Sequence, residues 1–348
     1  MVESAESCSG KGFQLGKLKP FSISLLWQKK SCWGCSSYNV IKWGRQYGKQ
    51  RFKCKECGLI FQWENGRVKD ANRFVWFEKW IMERQVYRFL VRDSGMSESS
   101  IQRLFKRFLS QAPEVAIKPK HKTHLLIDGS YFPNGLCLIL YYDHDIRYVQ
   151  LYRNTDEERF TEIYEDLMNI KKLGVEVYSI TCDGHKAILK AIKKAFPDVI
   201  LQRCLVHIKR QVKNYLSTAP KTLQSQQLLN LSKKITHIKT QEECGLWLLN
   251  FKNWCDVYKD YVNQKSYNEQ SNRYWYTHKN LHAAYSLILK AIPYMFHYID
   301  DKEIPATTNR LENYFSHLKE KLTLHRGLRM QAKRNFIKWY LHFKNNPK

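Results

Sequence analysis

The chain has 348 residues, 43% hydrophobic and 14% aromatic, with 58 Lys+Arg against 32 Asp+Glu and a formal charge of +26. That content is too apolar for a disordered chain, and the length exceeds an ordinary single core, so two or more folded parts are expected. Such a charge costs self-repulsion and calls for a polyanionic partner, nucleic acid ahead of an acidic membrane surface. Its spread along the chain implies several folded parts that each touch nucleic acid. No apolar run reaches the roughly 20 residues of a membrane span, and residues 21–27 are too short for a secretory signal, so no membrane partner and a cytoplasmic protein are expected. Cysteines there stay mostly reduced, which makes clustered ones metal candidates before disulfides.

Residues 1–30 show no periodicity and read as a leader of no assigned function, disordered or an overcalled start. Residues 31–68 predict a zinc ribbon. Cys32 and Cys35, then Cys54 and Cys57, make a C-x2-C-x18-C-x2-C pattern. Each pair presents two thiolates to one Zn²⁺, and the stretch between them is long enough for a hairpin. The metal supplies folding energy that so small a module lacks. Lys42, Arg45 and Arg51, interleaved with Trp43, Tyr47 and Phe52, suit phosphate contacts, with a merely solvated basic face as the alternative.

Residues 70–112 predict a helix-turn-helix. Phe74, Phe77 and Ile81 recur at helical spacing, Val86, Phe89 and Leu90 form a second stretch, and residues 93–96 break the period. Ser97 is a good N-cap for a helix with Ile101, Leu104, Phe105 and Phe108 on one face and Arg103, Lys106 and Arg107 on the next. A basic second helix after a glycine-containing turn fits the major groove, though a plain helical hairpin shows the same pattern. Residues 113–124, with two prolines and three lysines, read as a linker.

From Leu125 the pattern becomes α/β: strands at 125–128, 136–142 and 147–152, a helix from Phe160, a strand at 175–181, a helix from Ile188 and a strand at 199–201. That is the order of a ribonuclease-H-like core with a mixed five-stranded sheet. Asp128 and Asp183 are each expected at the C-terminal end of an apolar strand and each precede a glycine. Neighbouring strand ends bring two such carboxylates to a shared divalent cation, the arrangement of two-metal phosphodiester chemistry, for which Mg²⁺ or Mn²⁺ suits the oxygen ligands. Either Asp-Gly on its own is equally a turn. Glu312 opens an apolar-faced helix; with Asn309 three residues earlier it is a metal ligand or half of a capping box.

The three acids, the stretch Gln202-Arg203-Cys204-Leu205-Val206-His207 and the segment Thr308-Asn309-Arg310-Leu311-Glu312 resemble the Mutator-type DDE transposases of bacterial insertion sequences over roughly residues 120–330. That resemblance implies Asp128, Asp183 and Glu312 as the metal-binding catalytic triad. It also implies a core of residues 120–209 plus 306–340, interrupted by an all-α insertion at 210–305. Cys204 and His207 are too few for zinc and are expected to brace the helix beside the site, with a His207 contact to DNA phosphate as the alternative. Trp275, in a basic-aromatic stretch of the insertion, resembles a base-stacking tryptophan, against the commoner fate of packing in a core. His325, Arg326, Arg329, Lys333 and Arg334 are a phosphate-contacting run or a solvated helix face. The implied function is binding of terminal inverted repeats and target DNA, then metal-dependent cleavage and strand transfer, by at least a dimer, nucleoid-associated when on DNA. The rivals are a domesticated DNA-binding regulator on an inactive scaffold and a metal nuclease of the same fold.

Overall fold

The structure is a computed structural model that describes residues 31–32, 34–62, 66–133 and 135–347, the side chains of residues 66–72 excepted. The leader expected over residues 1–30 lies outside the described residues. Two compact units divide the chain, residues 1–73 and 74–348.

In the first unit, β1 (Val40–Gln46), β2 (Lys49–Cys54) and β3 (Ile60–Gln62) form an antiparallel sheet in that order. Tyr47 and Gly48 join β1 to β2, both at positive φ (50° and 74°), the sign pattern of the primed turns whose twist suits a hairpin. The hairpin expected between the cysteine pairs is present. Its core is small: Cys32, Cys54 and Phe61, with Val40 and Phe52 against them.

The next helices are α1 (Gly66–Met82), α2 (Tyr87–Ser94) and α3 (Glu98–Ser110). Gly95, left-handed at φ 68°, ends α2 by donating its N–H to the Val91 carbonyl, and the Ser97 hydroxyl caps α3 by accepting from the Ser100 N–H. Ile101, Leu104, Phe105 and Leu109 turn inward from α3, where Phe77, Trp80 and Ile81 meet them.

A five-stranded sheet of order β6-β5-β4-β7-β8 organises the second unit, from β4 (Lys120–Phe132), β5 (Leu136–Asp143), β6 (Tyr148–Thr155), β7 (Val175–Cys182) and β8 (Ile200–Arg203). β4, β5 and β6 pair antiparallel, while β7 and β8 run parallel to β4. Alternation along β4 sends Leu125 and Ile127 to one face, against α4 (Phe160–Lys172) and α5 (Lys186–Ala195), and Leu126 to the other. That other face packs on α11 (Asn309–Leu324) and α12 (Met330–Asn345), and α3 in turn packs on α12.

Two expectations about β4 need correction. The strand begins at Lys120, so part of the expected linker is sheet; two register irregularities between Lys120 and His124, with Lys122 at φ 49°, erase the alternation there. Asp128 is not at the strand's end either, because β4 continues to pair with β5 as far as Phe132.

Between β8 and α11 lie α6 (Leu205–Leu216), α7 (Leu223–Lys234), α8 (Gln241–Asn263), β9 (Lys265–Asn268), β10 (Arg273–Tyr276), α9 (Lys279–Ala291) and α10 (His297–Asp300). Ile208, Val212, Leu228, Trp247, Phe251 and Ile288 contribute to a separate hydrophobic cluster here. The insertion is not all-α: β9 and β10 form an antiparallel hairpin, with Tyr274 opposite Tyr267 and Trp275 opposite Ser266. The run Arg-Tyr-Trp-Tyr consists largely of aromatic strand formers, and that preference outweighs the helical setting. Among the described residues no helix is long and apolar enough to cross a membrane.

Candidate active site

The four cysteines form one cluster, with all four sulfurs within 4.8 Å of one another. Cys32 and Cys57 Sγ are 3.5 Å apart, as are Cys35 and Cys54 Sγ. These spacings are far too long for disulfides but close to the ~3.8 Å sulfur–sulfur edge of a tetrahedron with ~2.3 Å Zn–S bonds. Local turns set them: the Ser36 N–H donates to the Cys32 carbonyl and the Gly58 N–H to the Cys54 carbonyl. Backbone N–H donation from Cys57 holds the Cys54 thiol down to about 7, toward the thiolate that a metal takes. The donor set fits zinc. Lys42 and Arg45 stand exposed on β1, whereas Arg51 on β2 is half-buried and departs from the expected basic face.

The acid site is built by long-range pairing. In the parallel register Leu126 faces Thr181 and Ile127 faces Cys182, so Asp128 and Asp183 follow side by side. Asp128 is 5% exposed and accepts the Gly129 N–H at 3.0 Å; Asp183 accepts the His185 N–H at 2.8 Å. Burial, reinforced by the charges of Asp183 and Glu312 and opposed by His207, raises the Asp128 carboxyl to about 7.

Glu312 arrives because the chain leaving the insertion is tied to the ends of β7 and β8. Thr181 Oγ1 donates to the Pro305 carbonyl at 2.7 Å, the Leu205 N–H to the Ala306 carbonyl at 3.1 Å, and the Thr308 N–H to Cys204 Sγ at 3.3 Å. Helix α11 starts there, with Thr308 as its N-cap residue and Asn309 already inside the helix. The capping box does not form. Instead the Glu312 carboxylate accepts from Arg210 Nη2 at 2.9 and 2.8 Å, with His207 Nε2 3.4 Å away.

Cys204 and His207 therefore sit at this junction. The Thr308 hydroxyl donates to Cys204 Sγ at 3.4 Å and lies 3.3 Å from His207 Nδ1. Burial opposes a charged His207, but Cys204, Asp128 and Asp183 outweigh it and raise its pKa to about 9, which leaves an imidazolium facing the acids.

Sequence reasoning missed three side chains here: Glu158, Arg203 and Arg210. Glu158, on the loop between β6 and α4, is 8% exposed at its side chain and places Oε2 3.1 Å from His185 Nδ1. Arg203 at the end of β8 donates Nη2 to the Asp183 carbonyl at 3.0 Å and is 5% exposed. Each glycine after an acid makes room for one of them. A Cβ on Gly129 would overlap the Glu158 carboxylate, and one on Gly184 the Arg203 guanidinium. The two Asp-Gly steps and, for Arg203, its place in the Gln202–His207 stretch were the available signals, and neither names a partner.

The acid oxygens are spread wider than the sulfurs. Among the described residues the cysteines alone bring three or more ligand atoms within 4.8 Å. The donor chemistry still fits Mg²⁺ or Mn²⁺, since Mg²⁺ keeps waters and substrate phosphates and takes one or two carboxylates, not a closed protein cage.

Elsewhere, Arg103, Lys106 and Arg107 are exposed on α3, and Trp275 is 46% exposed on β10, outside the insertion's core. His325 is turned inward, 9% exposed with its ring 4.6 Å from that of Trp80, so it leaves the expected phosphate-contacting run; Arg326 and Arg329 stay exposed.

No curated protein matches the chain. The family model described as Transposase, Mutator family, matches residues 143–286, a stretch that contains Asp183, Cys204, His207 and Trp275 and leaves Asp128 and Glu312 outside it. Over residues 143–286 the chain is thus similar to the Mutator family of transposases.

Proposed function

We propose that the chain is a DDE-type transposase that binds the terminal inverted repeats of an insertion sequence, cleaves DNA at them and joins the freed ends to target DNA. The observation that carries this reading is the convergence of Asp128 on β4 and Asp183 just past the end of β7, with Glu312 brought in by the chain that returns from the insertion. Strand order and the two covering helix layers support a ribonuclease-H-like core over residues 120–209 and 306–340. Asp128, Asp183 and Glu312 would hold Mg²⁺ or Mn²⁺. Bound there, the ions would supply activation of the attacking oxygen and charge stabilisation of the leaving one. A water oxygen attacks phosphorus and the P–O3′ bond breaks; the freed 3′-hydroxyl then attacks a target phosphodiester, exchanging one P–O bond for another.

The protein's own contribution is placement. Thr308 and Cys204 fix the start of α11, Arg210 and His207 orient the Glu312 carboxylate, and His207 adds positive charge where phosphate arrives. Helices α2 and α3 serve as a helix-turn-helix with Arg103, Lys106 and Arg107 toward DNA; Lys42, Arg45 and Arg51 of the zinc ribbon add phosphate contacts. Trp275, left exposed on its hairpin, serves as a stacking platform for an unpaired base. Pairing two ends requires at least two copies in the active complex, a cytoplasmic assembly on DNA.

The test is the purified full chain with Mg²⁺ or Mn²⁺ on DNA that carries the element's terminal repeats. Cleavage and joining by the wild type, lost in Asp183→Asn, is the expected result. Repeat binding without cleavage would indicate a regulator, and cleavage without joining a nuclease. Activity that survives Asp183→Asn would overturn the site.

A further inference from the structure

Glu158 is not accounted for by a three-acid site. It comes from the loop that enters α4, and α4 covers one face of the sheet, while Glu312 comes from α11 on the other. Its carboxylate lies in the space that Gly129, next to Asp128, leaves by having no side chain. It also bonds His185, whose backbone N–H is held by Asp183. Glu158 is thus tied to both strand acids at once.

Its environment asks for a cation. The side chain is 8% exposed and carries the same charge as its neighbour Asp183. Among the described residues the His185 imidazole, itself half-exposed, lies 3.1 Å from it. Desolvating a carboxylate beside a like charge is costly unless positive charge compensates. An independent observation at the same turn points to a ligand as well. Arg203, more than nine-tenths buried against Gly184, keeps its Nε donor without a partner. That buried unpartnered donor, at the turn after Asp183, is a polar group that three acids alone leave unexplained.

We propose that Glu158 is a fourth metal-binding carboxylate of this site, reaching the Asp183 side from the helix layer opposite to Glu312. The inference rests on the transposase reading of the acid cluster. Asp128 and Asp183 would then be common to two cations, with Glu312 serving one and Glu158 the other. The Asp128-Gly129 step acquires a reason, because a side chain at Gly129 would expel the second cation's ligand.

The experiment is a Mn²⁺ titration of the full zinc-loaded chain followed by electron paramagnetic resonance, which reads occupancy and Mn–Mn coupling without any reaction. Wild type is expected to bind two coupled Mn²⁺ ions. Glu158→Gln, nearly the same shape, should lose the coupled signal and weaken one site by at least the roughly 10–100-fold that loss of an outer-shell partner alone costs. Gly129→Ala retains Glu158 but displaces the flexible end of its side chain, and should reproduce the loss. Asp183→Asn separates this inference from its parent. If Asp183→Asn weakens Mn²⁺ binding while Glu158→Gln and Gly129→Ala titrate as wild type, Glu158 is only a structural partner of His185 and the proposal fails alone. If Asp183→Asn also binds as wild type, the acid cluster is no metal site and both readings fall.

Discussion

The four-cysteine centre and the acid site are built in opposite ways. The cysteines are gathered by two short turns and one hairpin, and their sulfurs already lie within 4.8 Å of one another. The acids come from β4, from the end of β7 and from α11, separated by an insertion with its own hydrophobic cluster. Each is restrained by a partner from elsewhere in the chain: Glu312 by Arg210, Asp183 by the turn at His185 with Arg203 behind it, Asp128 by the strand register. A soft-ligand centre can substitute for a core, so its ligands must be local. A phosphodiester site needs room for substrate oxygens, so its ligands can be spread and the tertiary fold must hold them apart.

That difference sets the size of what each change should do. Cys54→Ser is expected to have the largest effect, because the described residues of the first unit bury too few side chains to hold the ribbon without its metal. Bound zinc, measured by a chromogenic chelator, should fall to near zero, and amide exchange protection of β1 and β2 should vanish. A ribbon that keeps its protection without zinc would contradict the contrast. Gly184→Ala attacks the assembled site. Gly184 has φ 92°, and a Cβ there collides with buried Arg203, so a loss on the order of 1–3 kcal/mol in denaturant unfolding is expected. Full stability would show that the turn is not constrained.

Thr308→Val keeps volume but removes the hydroxyl shared by Cys204 and His207. A cost of about 1 kcal/mol is expected, with slower cleavage and unchanged DNA affinity. An unchanged rate would mean that the junction does not position Glu312.

An effect seen only as pH falls concerns His325, at the end of α11. Burial against Trp80 lowers its pKa to about 4, with Lys321 adding to the shift. The unfolded chain takes up that proton near the ordinary value of about 6.5, so the folded state is disfavoured as pH falls. The stability at stake is intact above pH about 6.5 and is lost progressively toward pH 4. Thermal melting at pH 7 and pH 5 should drop by several degrees for the wild type and by less for His325→Gln. Equal drops would remove His325 as the cause.

The same contrast explains what was legible in the sequence. The cysteine centre was readable because residues 32–57 contain all of it. The strand order was readable from apolar runs, yet β4 escaped proper bounds, since irregular pairing at Lys120–His124 and the antiparallel extension to Phe132 are tertiary facts. The β9–β10 hairpin was missed because an aromatic run flanked by helices has no decisive period. Arg210 and Glu312 are 102 residues apart, and nothing in a single sequence pairs them. Glu158 sits in the charged stretch Asp156–Arg159, where composition suggests only a solvated loop.

Glu312 remains the most informative residue, since its helix packs well with or without catalysis and the family match does not include it. Single-turnover cleavage of terminal-repeat DNA by Glu312→Gln, with DNA affinity measured in parallel, tests it most directly. The predicted result is cleavage reduced to the metal-free background with repeat binding intact. Cleavage within about tenfold of wild type, a barrier change of only ~1.4 kcal/mol, would contradict a site assembled from Asp128, Asp183 and Glu312.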